Sequence, residues 1–476
     1  MSSTSWTSEF SAVKTALRLD PEFFDYRSRS VTEALTQSGA VSLGSLVQDV
    51  RRGILPEYVN EGEVRVVKTA SVRRFEFARS PEAFVSREFA AMNPRAEVPL
   101  NSIVVTSTGV GSAGRAFAHL IESGDDGLVA DGHITVMQAP DSEAAAYITA
   151  FLQSPIGRQQ ILRHHRGSSR QIELYPQDIC AVLIPSTSPR WKKSIAERWI
   201  TAVTSVFESD NAISAAERLI ADFIGIDADY AQKPIPVAAS WTSSLSALRV
   251  ATRLDAEHQN PRVAKLKRSI EEAGSIPLSS LAMSIRKGFQ PAGYSENGET
   301  VVVKAKDVYY PDFSFGSCDR TWGTNWPYYL AGGELLINST GEGTLGRSTV
   351  VPFVKPTGDQ AIPAVDLLVV EIDRALAIPE YVAVFLNSPL GHHLSTALQT
   401  GSSGQQHLNP AHFAFLPVPI KRTTSGSIDW TWQQEIVELV ELRATRRRNA
   451  ESVAVELDAE FIQLVGVEPD LRTIPE

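Results

Sequence analysis

The feature that most constrains this chain is an internal duplication. The stretch "SWTSEFSAVKTALRLD" (Ser5 to Asp20) recurs as "SWTSSLSALRVATRLD" (Ser240 to Asp255), with ten identities in sixteen positions at an offset of 235. The same offset carries "VSLGSL" (Val41 to Leu46) onto "IPLSSL" (Ile276 to Leu281), and "RRGI" (Arg51 to Ile54) onto "RKGF" (Arg286 to Phe289). Lys68 meets Lys304 at 236, "STGVGSAGR" (Ser107 to Arg115) meets "STGEGTLGR" (Ser339 to Arg347) at 232, and "QSPIG" (Gln153 to Gly157) meets "NSPLG" (Asn387 to Gly391) at 234. An offset that drifts so little marks one unit of 235 residues used twice, and an architecture that suits one copy must suit the other.

Each copy has the same parts in the same order. A helical lead-in precedes a strand-rich region of short apolar runs such as "GELLIN" and "STVVPFV", broken by glycine and proline turns. A shorter helical piece follows ("EYVAVFLNSPLGHHLSTAL" in the second copy), then an apolar-proline segment, "AVLIPS" or "FLPVPI", and last a long helix. This divides the chain into lead-in 1–40, globular region 41–188, long helix 189–226, linker and lead-in 227–275, globular region 276–421 and long helix 428–466. In the first long helix Ile195, Trp199, Ala202, Val206, Ile213, Ala216, Ile220 and Phe223 follow steps of four and three, interrupted only at Ser209. That is a coiled-coil period, and the simplest partner is the other long helix, where Val437, Val440, Ala444, Ala454, Leu457 and Phe461 continue a seam broken at "RRR" (Arg446 to Arg448). Two copies related by a pseudo-two-fold axis would set these helices antiparallel. Glu208 and Asp210 would then face Arg446, Arg447 and Arg448 at the midpoints.

The glycine loops have the spacing of a dinucleotide-binding turn, which needs a strand before it and a helix after it. A strand does precede each, but "RSTVVPFV" after the second loop is β-branched and reads as another strand. The acidic residue expected about 20 positions on is Asp366 in one copy, yet Ile134 in the other. A glycine-rich connection between strands fits better. The pairs His164–His165 and His392–His393 look metal-like, but neighbours on a helix point apart and no Cys or carboxylate cluster completes a site. "NPRA" and "NPAHF" are not the motif of a base-amino methyltransferase, and neither a nucleophile elbow nor a P-loop is present. No catalytic residue and no metal is therefore expected on this chain.

The bulk numbers narrow the class. With 476 residues, 43% of them apolar, the chain can bury two to four cores. Two distant cysteines, Cys180 and Cys318, argue for a reducing cytoplasm rather than a disulfide scaffold. "MSSTSWTSEF" has neither the basic start nor the apolar run of a signal peptide. No apolar run approaches the roughly 20 residues that span a bilayer. A net charge of −10 argues against a lone, non-specific nucleic-acid binder, though not against a local basic face.

With its parts in this order, the chain resembles the specificity (S) subunits of type I restriction–modification systems. The resemblance is carried by "RLDAEHQNPRVAKLKRSI", "IPLSSLAMSIRKGF", "LLINSTGEGTLGR", "YVAVFLNSPLGHHL", "GSSGQQHLNPAHFAFLPVPI" and the helix after each copy. It implies an α+β fold in which two strand-rich target-recognition domains are separated by two long antiparallel coiled-coil helices. It also implies that each domain reads one half of a split target in double-stranded DNA. The helices would dock methyltransferase subunits, which carry S-adenosylmethionine, and restriction/translocase subunits would complete the complex; the S subunit itself is non-catalytic. The lead-ins are fuller than in a minimal member and the charge is acidic, which leaves a related phage-defence assembly open. Two other readings are an assembly scaffold without DNA specificity and a DNA-modifying enzyme with an unrecognised site.

Two domains that read different half-sites should share what builds the fold and differ where bases are touched. The copies diverge over Arg73 to Glu97 against Tyr309 to Gly332, and over Arg163 to Leu174 against Leu398 to Leu408. Those segments hold Arg73, Arg74, Arg166, Arg170, Gln171, Arg320, Asn325, Gln405 and Gln406, side chains able to donate to base edges or phosphates. The shared Arg52, Lys68, Lys287 and Lys304 suit phosphate, as do Ser107, Arg115, Ser339 and Arg347 in the glycine loops.

Overall fold

The computed structural model describes residues 21–59, 62, 64–77, 83–109, 111–121, 127–167, 172–227, 230–231, 260–323, 325–341, 344–353, 360–400 and 406–467. The repeated stretches Ser5 to Asp20 and Ser240 to Asp255 lie outside them. The chain forms two compact units that do not follow the linear copies. One runs to Glu208 and takes up the chain again from Arg446; the other is Ser209–Thr445. Each long helix is thus divided between the units.

In the first unit a four-stranded sheet is built from β1 (Gln48–Arg52), β4 (Ser102–Thr106), β5 (Ala116–Ala118) and β7 (Ile134–Gln138), in the order β1-β7-β4-β5. A three-stranded sheet has the order β3-β2-β6, from β2 (Val64–Val67), β3 (Phe84–Val85) and β6 (Leu128–Ala130), with β2 and β6 parallel. In the second unit the strands are β8 (Ala282–Lys287), β9 (Thr300–Val303), β10 (Asp319–Thr321), β11 (Leu335–Asn338), β12 (Ser348–Val350), β13 (Gln360–Pro363) and β14 (Leu367–Ile372). Their orders are β8-β14-β11-β12 and β10-β9-β13, with β9 and β13 parallel. The two topologies are the same.

Shared residues explain the shared fold. Ser154 and Ser388 cap equivalent helices, Pro155–Arg163 and Pro389–Ala397, each accepting from the N–H of the glycine three residues on at 3.2 Å. Those glycines are required, because a Cβ on Gly157 or Gly391 would overlap the carbonyl oxygen of Phe151 or Phe385. Tyr147 and Tyr381, both buried, donate to the Pro185 and Pro419 carbonyls at 2.8 and 2.6 Å. That contact fastens the helical piece to the apolar-proline segment, and burial pushes both phenols up.

The long helices span Pro189–Ile224 and Trp430–Val465. Pro189 opens the first as its N1 residue, and Gly225 and Gly466, with φ of 75° and 73°, close the two. In the first unit Arg198 ion-pairs with Glu456 (2.7 Å) and Glu460, and Arg446 with Glu208 (3.1 Å). In the second Arg443 pairs with Asp210 at 2.8 Å, and Phe223 packs on Trp432 with centroids 5.1 Å apart. Partner numbers fall as numbers along the first helix rise, so the paired halves in each unit run antiparallel. One expectation needs correcting. Ser209 does not interrupt the seam but is fully buried in it, while Ala212 replaces Ile213 as the buried position. A serine is small enough to sit where two helices approach closely.

Candidate nucleic-acid interface

The glycine loops are hairpin connections, from β4 to β5 and from β11 to β12. Gly109, Gly111 and Gly114 have φ of 97°, 76° and 79°, and Gly341 and Gly346 have 94° and 79°, conformations that other residues adopt at a cost. A Cβ on Gly114 would stand 2.6 Å from Ile161, and one on Gly346 2.5 Å from Ser395, so each loop lies flat on the equivalent helix. A strand follows each loop, and no helix N-terminus is offered to a pyrophosphate. Beside each loop runs a divergent segment. Thr108 bridges to Glu173 in the first unit and Thr340 to His407 in the second.

Two expectations about these loops fail. Ser107 is fully buried with its Oγ 2.7 Å from Thr135 Oγ1, and Ser339 donates to the Asp366 carbonyl at 2.7 Å. Both hydroxyls are engaged within the fold. Arg347 donates through Nη2 to the Ala305 carbonyl at 2.6 Å and braces the loop.

Several other nominated cations have structural partners. Arg52 pairs with Glu173 at 3.0 Å and donates to the Leu174 carbonyl at 2.6 Å. Arg74 binds Asp458 through Nη2 at 2.9 Å, Arg166 binds Asp178 through Nε and Nη2 at 2.9 and 2.8 Å, and Arg320 donates to the Gly298 carbonyl at 2.6 Å. Lys304 pairs with Asp319 at 2.5 Å. Lys287 and Asn325 are exposed and Gln406 is half-buried. Arg170, Gln171 and Gln405 lie outside the described residues.

A different group of cations stands out in the first unit. Burial, and then the charge of Arg73, hold the Arg115 guanidinium below its usual range; burial, Arg115 and Arg74 do the same to Arg158. Arg73, Arg115 and Arg158 have no carboxylate partner among the described residues. Such a group favours an anion at its surface. Arg158 lies outside the two divergent segments singled out in the sequence, and its counterpart in the other copy is His392.

Of the helix residues, Arg446 reaches Glu208, whereas Asp210 takes Arg443 and Arg447 takes Glu76 at 2.8 Å. Arg448 is exposed. Sequence reasoning also missed Tyr58 and Tyr294, over whose rings Lys68 and Lys304 lie at 4.9 and 3.5 Å. These tyrosines match at the offset of 236 that links the lysines, a signal present in the sequence. Among the described residues no group of His, Cys, Asp and Glu could hold a metal ion, and no helix is long and apolar enough to cross a membrane.

No protein-family model matches this sequence, and no curated protein matches it. Solved structures do. The S subunit of a type I restriction–modification system from M. genitalium is similar over 90% of this chain and 94% of its own, with 14% identity and a TM-score of 0.40. The HsdS subunit from Thermoanaerobacter tengcongensis is similar over 90% and 95%, with 12% identity and a TM-score of 0.26. The type IIG restriction endonuclease BpuSI is similar over 40% of this chain and 30% of its own, with 11% identity and a TM-score of 0.30. The two of these that cover nearly the whole chain are S (HsdS) subunits.

Proposed function

We propose that this chain is the non-catalytic, sequence-reading subunit of a cytoplasmic type I restriction–modification complex or a related phage-defence assembly. Each unit reads one half of a split double-stranded DNA target. The long helices dock methyltransferase subunits, which bring the S-adenosylmethionine, and restriction/translocase subunits act on the assembled complex. The carrying observation is one sheet topology built twice, with equivalent caps, tethers and glycine loops, beside segments that have diverged. Duplication followed by divergence at one edge is what two readers of different sequences require.

The test is an exchange of segments in the full chain assembled with its methyltransferase. Replacing Arg73–Glu97 and Arg163–Leu174 by segments from another such protein should change the methylated sequence in one half-site only. A lost base contact should cost roughly 1–3 kcal/mol at its own position and little elsewhere. A change in both halves would remove the two-reader reading. Methylation by the chain alone, supplied with S-adenosylmethionine and DNA, would remove the non-catalytic one.

A further inference from the structure

Tyr58 lies in the connection from β1 to β2, and Lys68 directly follows β2; Tyr294 lies in the connection from β8 to β9, and Lys304 directly follows β9. In both units the connection is pinned next to the tyrosine by the adjoining strand. Val59 bridges to Phe84, and the Ser295 N–H donates to the Arg320 carbonyl at 2.9 Å. Both rings are about half exposed, at 49% and 46%, and both carry a lysine ammonium on one face. The neighbouring sequences, "LPEYVN" and "PAGYSEN", have otherwise diverged. A solvated tyrosine under a lysine is an inefficient way to stabilise a fold, yet it is present twice at matching positions.

Resting on the reading given above, we infer that Tyr58–Lys68 and Tyr294–Lys304 are equivalent contacts to the DNA phosphate backbone, one in each unit. What two half-sites of different sequence have in common is the backbone, and this pair is among the features the two units share beside their divergent segments. A lysine ammonium carries three N–H donors and a phenol one O–H, so each pair can offer more than one donor to phosphate oxygens. The two pairs differ in one respect. Lys304 also binds Asp319, whose carboxyl is held below its ordinary range by hydrogen bonds from Lys304 and Lys306. Lys68 has no ion pair among the described residues, and the Asp131 carboxyl is pushed up by burial, opposed by the N–H of His133 and the charges of His133 and Lys68. The first unit's pair therefore contributes more strongly.

The experiment measures binding of the full chain to a mixed-sequence DNA duplex as a function of salt, because each phosphate neutralised adds about 0.9 to the slope of log K against log salt. Lys68→Ala should lower the slope by nearly that amount, Lys68→Arg should keep it, and Lys304→Ala should lower it by less. Asp319→Asn should steepen it, and not when combined with Lys304→Ala. Wild-type binding with an unchanged slope in the K68A/K304A double variant overturns the inference and leaves the proposed function standing. So does a gain from D319N that persists without Lys304. A wild-type chain that binds no duplex even at low salt, alone or with its methyltransferase, overturns the proposed function and this inference together. Melting curves on each variant identify any that fail to fold, and the charge-preserving K68R together with the gain expected of D319N gives a reading that misfolding cannot imitate.

Discussion

The two units have the same strands in the same order, and they line the edge beside their glycine loops with opposite chemistry. The first unit gathers Arg73, Arg74, Arg115 and Arg158. The second places Tyr309, Tyr310, Trp322, Trp326 and Tyr328 in the matching segment, with Trp322 exposed, Trp326 packed on Phe289, and Arg286 lying 4.2 Å over the Tyr328 ring. Even the anchor of that segment differs. At matching positions Arg74 forms an ion pair with Asp458 on the second long helix, whereas Tyr310 gives a hydrogen bond of 2.7 Å to Glu441 on the same helix. A scaffold fixed by glycines, serine caps and tyrosine tethers tolerates either lining, because none of those devices depends on what the edge presents.

The strongest way to break that comparison is to ask whether the scaffolds really are equivalent. Gly157→Ala and Gly391→Ala would drive a methyl group into the Phe151 and Phe385 carbonyls, which belong to helix backbone and cannot give way cheaply. Each should cost at least about 3 kcal/mol, and by the same amount within error. Chemical denaturation of the two variants measures this; a tolerated alanine in one unit would show that the copies have drifted apart in their cores.

The anchors should be unequal. Arg74→Ala leaves Asp458 largely buried without its cation, a loss on the order of 2–3 kcal/mol, while Tyr310→Phe removes one hydrogen bond, about 1 kcal/mol. The first loss carries a pH signature. Burial, opposed by Arg74, already holds the Asp458 carboxyl above its ordinary range. Without Arg74 the folded pKa rises further. A carboxyl raised on folding binds its proton more tightly in the native state, so stability falls as pH rises towards and through that pKa. The R74A deficit should therefore be smallest in acid and largest near neutrality. A deficit independent of pH would mean that Asp458 finds another donor.

The duplication, the order of parts, the hairpin nature of the glycine loops and the two long helices were all legible in the sequence, because each leaves a periodic or repeated trace. The division into compact units was not. Each long helix is one continuous seam in sequence, and nothing in its period marks where it passes from one set of neighbours to another. The candidate interface was legible only by residue type. A donor such as Arg52 or Arg166 looks the same in sequence whether it meets a phosphate or, as here, Glu173 and Asp178. Ser107 and Ser339 suit phosphate by residue type and place, yet their hydroxyls are used inside the fold. The tyrosine–lysine pairs could have been found, had aromatic matches been weighed along with charged ones.

The smallest expected effect concerns the charge pairs between the long helices, and it sharpens the comparison most finely. Glu208 and Arg446 belong to the first unit, with side chains 58% and 30% exposed; Asp210 and Arg443 belong to the second, 15% and 23% exposed. Water screens the former pair, and its long side chains lose rotamer freedom to form it, so a double-mutant cycle with alanines should give about 0.2–1 kcal/mol. The latter is partly withdrawn from solvent and uses a shorter acid at 2.8 Å, so its coupling should be larger, about 1–2 kcal/mol, and less sensitive to salt. Removing Arg443 strands Asp210 beside the seam, so that single variant should cost more than the pair is worth. In the first unit the singles should be nearly silent, because the freed charge turns to water. Equal couplings, or a salt-sensitive Asp210–Arg443 pair, would mean that the exposure difference does not control the electrostatics of these helices. A larger coupling for Asp210–Arg443 would assign register to the second unit's half of the seam, where Ser209 and Ala212 supply little apolar area to do so.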